Sequence, residues 1–154
     1  MDITIKSLPS ARIAYMRQTG PYGPAIGVFW RDVFGVWMEN NGLLHQVRYG
    51  IGLDDPQVTP AAQCRYDACV EVPESFDATP PASIRTLPGG EHAVTRFTGT
   101  GAEIGQAWMD FYGELQLDGV ETAKGPYFER YGKDSSYNPA TGVMSCELCI
   151  PLKG

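Results

Sequence analysis

The chain repeats itself, and that constrains its fold more than any single motif does. IKSLP (Ile5 to Pro9) returns as IRTLP (Ile84 to Pro88), 79 positions later. Arg17, Thr19 and Gly20 return at the same offset as Arg96, Thr98 and Gly99. After a one-residue slip, Ile26, Gly27, Trp30 and Asp32 return as Ile104, Gly105, Trp108 and Asp110. Near the end of each half, YDACV (Tyr66 to Val70) aligns with CELCI (Cys146 to Ile150), pairing Asp67 with Glu147. An ordered series of this kind divides the single domain of residues 1–154 into two copies of one unit, residues 2–73 and 82–152. A proline-containing linker, residues 74–81, joins them.

Each copy changes its periodicity in the same order. ITIKSL and ARIAYMRQT are rich in β-branched and aromatic residues and read as strands. Ile26, Phe29, Trp30, Val33, Phe34 and Trp37 then recur at helical spacing, as do Ile104, Ala107, Trp108, Phe111, Tyr112 and Leu115. VRYGIGL and RYDACVEV close the first copy as strands; PYFERYG and VMSCELCI close the second. The expected fold class is α+β: a duplicated β-β-α-β-β unit forming antiparallel sheets, with two main helices packed on one side and a central ligand groove on the other. Strand alternation puts Tyr66, Ala68, Val70, Cys146, Leu148 and Ile150 under the helices, and Asp67, Cys69, Glu147 and Cys149 on the opposite face. The same alternation groups Tyr127, Glu129 and Tyr131, which are expected on the open face as the aromatic and acidic wall of a cleft.

Composition narrows the function. A net charge of −6 disfavours a phosphate-backbone binder, so no direct nucleic-acid partner is expected. MDITIKSLPS has no signal-peptide pattern and no stretch approaches a membrane span, so a cytoplasmic protein with no membrane partner is expected. The four cysteines lie in strand-like runs at odd separations, which sends neighbours to opposite faces; buried thiols are expected and no metal site. TGPYGP lacks the Gly-Lys-Ser/Thr of a phosphate loop and reads as a turn before a helix, so no cofactor is expected.

TGPYGPAIGVFWRDVFGVW, LDDPQVTPAAQCRYDACVEVP, LPGGEHAVTRFTG, PYFERYG and CELCIPL, in that order and across nearly the whole chain, resemble the GyrI-like small-molecule-binding domain family. That family includes the bacterial DNA gyrase inhibitor and the effector-binding domains of BmrR- and Rob-type transcription regulators. The resemblance implies a groove with a carboxylate at its heart that holds cationic, aromatic molecules, as in multidrug binding. Glu129 and Glu147 are the matching carboxylates, with Tyr127, Tyr131, Tyr66, Tyr22 and Trp108 as candidate aromatic contacts. The repeat places Tyr49 or Gly50 where the second copy has Glu129, so this acid occurs only once. Both units fill the chain and leave no room for a DNA-reading helix pair, which favours a stand-alone sensor, sequestering protein or inhibitor. DNA gyrase or a regulator protein is the alternative partner. A second alternative is a hydrolase of strained electrophiles, with Glu129 or Glu147 as general base. His45 and His92 have no evident catalytic partners and are expected to face solvent, so a binder is favoured over an enzyme.

Overall fold

Residues 1–154 are described by a computed structural model. The first half contains β1 (Ile3–Leu8), β2 (Ala11–Thr19), α1 (Pro24–Phe29), a π-helical turn (Trp30–Phe34), α2 (Gly35–Asn40), β3 (Arg48–Gly52) and β4 (Arg65–Glu71). The second contains β5 (Ser83–Leu87), β6 (Gly90–Gly99), α3 (Ile104–Leu117), β7 (Phe128–Tyr131), the short β8 (Ser136–Tyr137) and β9 (Met144–Pro151). Pro24 opens α1, where its missing N–H costs nothing, and α1, the π turn and α2 run on as one rod.

One antiparallel sheet runs β1-β6-β9-β7-β3-β4-β2-β5, with β8 hydrogen-bonded to β9. The first strand of each half pairs with the other half: β1 lies on β6, and β5 lies on β2. The links explain why these strands do not fold back as hairpins. Pro9 and Pro88 hold φ negative, whereas two-residue hairpins favour positive φ at the turn. The chain therefore crosses to the other half. The two crossings touch: a Cβ on Gly89 would stand 2.5 Å from the Ser10 nitrogen and 2.6 Å from the Leu8 oxygen.

Two cores lie under the helices. Phe29, Phe34 and Met38 pack on Tyr66, Ala68 and Val70, and Phe111 and Leu115 pack on Cys146, Leu148 and Ile150. A third core, with Ile13, Tyr49, Ile51, Cys69, Leu87, Val94, Phe128 and Cys149, fills the opposite face. Because it draws its members from seven strands, the sheet must curl around it, as a half-barrel does. On the far face a small cavity, about 70 Å³, lies between Leu8, Leu87, Tyr49, Phe128 and Arg130. Cys146 and Cys149 belong to different cores on opposite faces, and Cys64 and Cys69 are also buried thiols. No helix is long and apolar enough to cross a membrane.

Candidate functional site

Glu129 lies at the seam between the halves, where β7 pairs with β3. Its cross-strand neighbour in β9 is Leu148, one of the residues under α3, and directly paired residues share a face. Tyr127, Glu129 and Tyr131 therefore stand on the helix side, between the two helices. The expectation that they occupy the face away from the helices is corrected by this register: the three do alternate together, but the partner strand decides which face they share.

The carboxylate accepts from three side chains, one of which is held in turn by a fourth. The Tyr131 hydroxyl donates to Oε1 at 2.8 Å and the Tyr66 hydroxyl donates to the same oxygen at 3.1 Å. The Trp108 indole N–H points at Oε2 at 3.5 Å, and the Trp30 indole donates to the Tyr66 hydroxyl at 3.1 Å. Trp30 comes from the π turn and Trp108 from α3, so each helix turns an indole toward the acid, Trp108 directly and Trp30 through Tyr66. None of the seven ion pairs of the molecule includes Glu129. Burial raises its pKa above the ordinary carboxylate range, and the hydrogen bonds from Tyr131, Tyr66 and Trp108 offset part of that rise. Tyr66 and Tyr131 are pushed well above the usual phenol value, first by burial and then by the Glu129 charge. Glu129, Trp30, Trp108, Tyr127 and Tyr131 all remain partly exposed, so the cluster reaches the surface.

The register also explains why this acid occurs once. Gly50 pairs with Ala68 as Glu129 pairs with Leu148, and Ala68 and Leu148 are equivalent positions of the repeat. Gly50 is thus the counterpart of Glu129, and the two are also direct partners across the seam. They mark the pseudo-twofold axis. A glutamate in both copies would set two carboxylates face to face, and like charges so placed oppose ionisation. Glycine is required for room as well: a Cβ at Gly50 would stand 1.9 Å from the Tyr66 hydroxyl oxygen and 2.7 Å from Glu129 Oε1. Gly50→Ala is expected to push Tyr66 off Glu129 and to destabilise the protein by about 1–3 kcal/mol, the range for overpacking a filled site. Urea unfolding checks the energy, and the ultraviolet difference spectrum of the tyrosines checks the displacement.

The remaining candidates divide between this cluster and other places. Tyr127 stacks on Trp108 with centroids 6.4 Å apart, and its hydroxyl lies 3.4 Å from that of Thr122. Tyr22 meets Tyr66 edge-on at 6.4 Å, while its hydroxyl donates to the Arg65 carbonyl and accepts from the Asp54 N–H. The structure does not bring Glu147 to the groove. Its carboxylate is on the far face, 3.1 Å from Lys6 Nζ and 3.2 Å from an Arg130 nitrogen. The repeat counterpart, Asp67, is wholly buried and meets Arg17 at 2.8 Å and Arg85 at 3.0 Å. Lys6 is on β1 and Arg85 on β5, so each acid ties an exchanged strand to its host half. His45 is exposed, but His92 is not: β6 turns it inward against Phe128, with Nδ1 2.8 Å from the Gly90 oxygen. Trp30 reads in the sequence as helix core; the signal for its role was its pairing with Trp108 in the repeat.

An acid with no ion-pair partner thus stands ringed by aromatic side chains at the junction of two helix-capped half-sheets. The chain belongs to the GyrI-like family: residues 1–153 match the GyrI-like small molecule binding domain. It is 34% identical over 154 residues to the SPbeta prophage-derived protein YosT of Bacillus subtilis (strain 168), covering 99% of this chain and all of that protein. It is 28% identical over 158 residues to the DNA gyrase inhibitor of Cronobacter sakazakii (strain ATCC BAA-894), covering 99% and 98% of the two chains. Among solved structures it resembles SAV2435 bound to tetraphenylphosphonium, with a TM-score of 0.66, 17% identity, and coverage of 100% and 95%.

Proposed function

We propose that the protein binds amphipathic aromatic cations in the groove between its helices, with Glu129 as the charged anchor, and acts in sensing or sequestering them. The observation that carries the proposal is the partly buried Glu129 carboxylate, which has polar donors but no cation. A desolvated organic cation relieves the cost of ionising that acid, and the faces of Trp30, Trp108, Tyr127 and Tyr131 attract positive charge. Tetraphenylphosphonium, the molecule held by SAV2435, is the natural first probe. In this proposal the two copies, residues 2–73 and 82–152, form one binding domain and each supplies one wall. A cytoplasmic setting belongs to the proposal, favoured by four cysteines packed singly as thiols.

Isothermal titration calorimetry with tetraphenylphosphonium tests it, and pH supplies a second dimension. The probe keeps its charge at every pH, whereas Glu129 binds it as the carboxylate. Affinity is expected to rise with pH through the titration of Glu129 and then to level off, with a midpoint above the ordinary glutamate value of about 4.3. Heat-silent mixing at neutral pH, or an affinity that does not change with pH, contradicts the proposal.

The identity with the Cronobacter sakazakii DNA gyrase inhibitor favours a second reading, in which the protein acts on gyrase by protein contact. A supercoiling assay decides this one: inhibition by stoichiometric protein supports it, and unaltered supercoiling at tenfold excess removes it.

A further inference from the structure

Glu129 stands on the pseudo-twofold axis of the molecule, and that position bears on where a ligand must carry its charge. Gly50 and Glu129 are equivalents of the repeat that face each other, which no other pair in β3 and β7 does. Trp30 and Trp108, also equivalents, lie on either side of this axis, and both indole N–H groups turn toward the axial cluster, Trp30 through Tyr66 and Trp108 directly. Tyr22 extends the aromatic surface beyond Tyr66 in the first half, and Tyr127 extends it beyond Trp108 in the second. The acid is therefore central and the aromatic surface is two-sided.

Resting on the cation-binding proposal above, we infer that the groove selects cations whose charge lies in the middle of the molecule, between two aromatic arms, over cations charged at one end. With its charge against Glu129, a two-armed ligand covers both aromatic walls. A ligand charged at its end extends into one half and leaves the other wall in water. The difference is one ring's worth of apolar burial, which corresponds to about tenfold or more in affinity.

Two isomeric quaternary ammonium ions isolate this property. Dibenzyldimethylammonium carries its charge between two phenyl rings; (biphenyl-4-ylmethyl)trimethylammonium has the same atoms and charge, with both rings on one side. Competition of each against tetraphenylphosphonium on the wild-type protein is expected to give the centre-charged isomer an affinity at least about tenfold higher. Trp30→Phe and Trp108→Phe, which keep an aromatic ring at each wall, are expected to weaken the centre-charged isomer by similar factors, and Trp30→Ala and Trp108→Ala by similar and larger ones. Equal affinity of the isomers, preference for the end-charged one, or dependence on a single tryptophan overturns the inference while leaving cation binding intact. Failure of both isomers and of tetraphenylphosphonium to bind removes the cation-binding proposal and the inference with it. The isomer comparison needs no variant and stands even if the alanine substitutions fail to fold.

Discussion

Glu129→Gln is expected to lower affinity for tetraphenylphosphonium by about 100-fold, within the range found when one partner of a desolvated charge pair is neutralised. The substitution keeps the shape of the side chain and an oxygen that accepts from Tyr66 and Tyr131, so the groove retains its form. What it removes is the charge. Stability should respond in the opposite direction from affinity. A carboxyl whose pKa is raised by folding leaves stability intact below its unfolded value; the loss sets in as pH rises through that value and is complete above the folded one. The glutamine variant does not titrate, so at neutral pH it should be at least as stable as the wild type, to within about 1 kcal/mol for the altered Trp108 contact. At pH 3 that advantage should vanish. Urea unfolding at the two pH values, beside calorimetry at neutral pH, separates a functional acid from a structural one. A variant that unfolds readily at pH 7, or binds as the wild type does, assigns Glu129 to the structure alone.

Asp67→Asn is expected to have the largest effect on folding. Asp67 is fully buried and receives two hydrogen bonds from Arg17 and an ion pair from Arg85, whose guanidinium also lies 4.5 Å from the centre of the Tyr15 ring. Removing the anion leaves two cations facing each other in partly desolvated positions, which costs about 3 kcal/mol by comparison with other broken buried pairs. That is a large share of a domain's net stability. Arg85 belongs to the exchanged strand β5, so the loss should also appear as faster hydrogen exchange along β5 and the facing part of β2. Glu147, whose carboxylate is 16% exposed where that of Asp67 is fully buried, should tolerate Glu147→Gln at about 1 kcal/mol or less. Folded Asp67→Asn protein should bind tetraphenylphosphonium within about threefold of the wild type, because Asp67 is on the face away from the groove. Losing both stability and intrinsic affinity would show that the two faces are coupled.

Much of this architecture is written into the repeat. IKSLP and IRTLP mark the exchanged strands, YDACV and CELCI mark the strands under the helices, and the two apolar stripes mark the helices. Which strand pairs with which is less legible. β1 and β5 are so alike that either can serve as the neighbour of β2 or β6; the crossing of the two proline links, seen at Gly89, decides between them. The face of Glu129 was hidden for a related reason. Alternation groups Tyr127, Glu129 and Tyr131 without saying toward what, and only the pairing of Glu129 with Leu148 and Gly50 sets them under the helices. Local pattern reads His92 as a surface residue, whereas Trp30 packs on the first core as its stripe implies while also turning its indole N–H to Tyr66. The curl of the sheet, a long-range property, buries His92.

The central claim is that Glu129 is the acid that meets the cation, and its own titration measures this most directly. In protein labelled with 13C at glutamate carboxyl carbons, the Glu129 signal, assigned by its absence in Glu129→Gln, should titrate above the ordinary glutamate value in the free protein. Saturating tetraphenylphosphonium should move that midpoint downward, because a cation held against the carboxylate favours its charged form. An unchanged midpoint under saturation would place the ligand elsewhere and contradict the account.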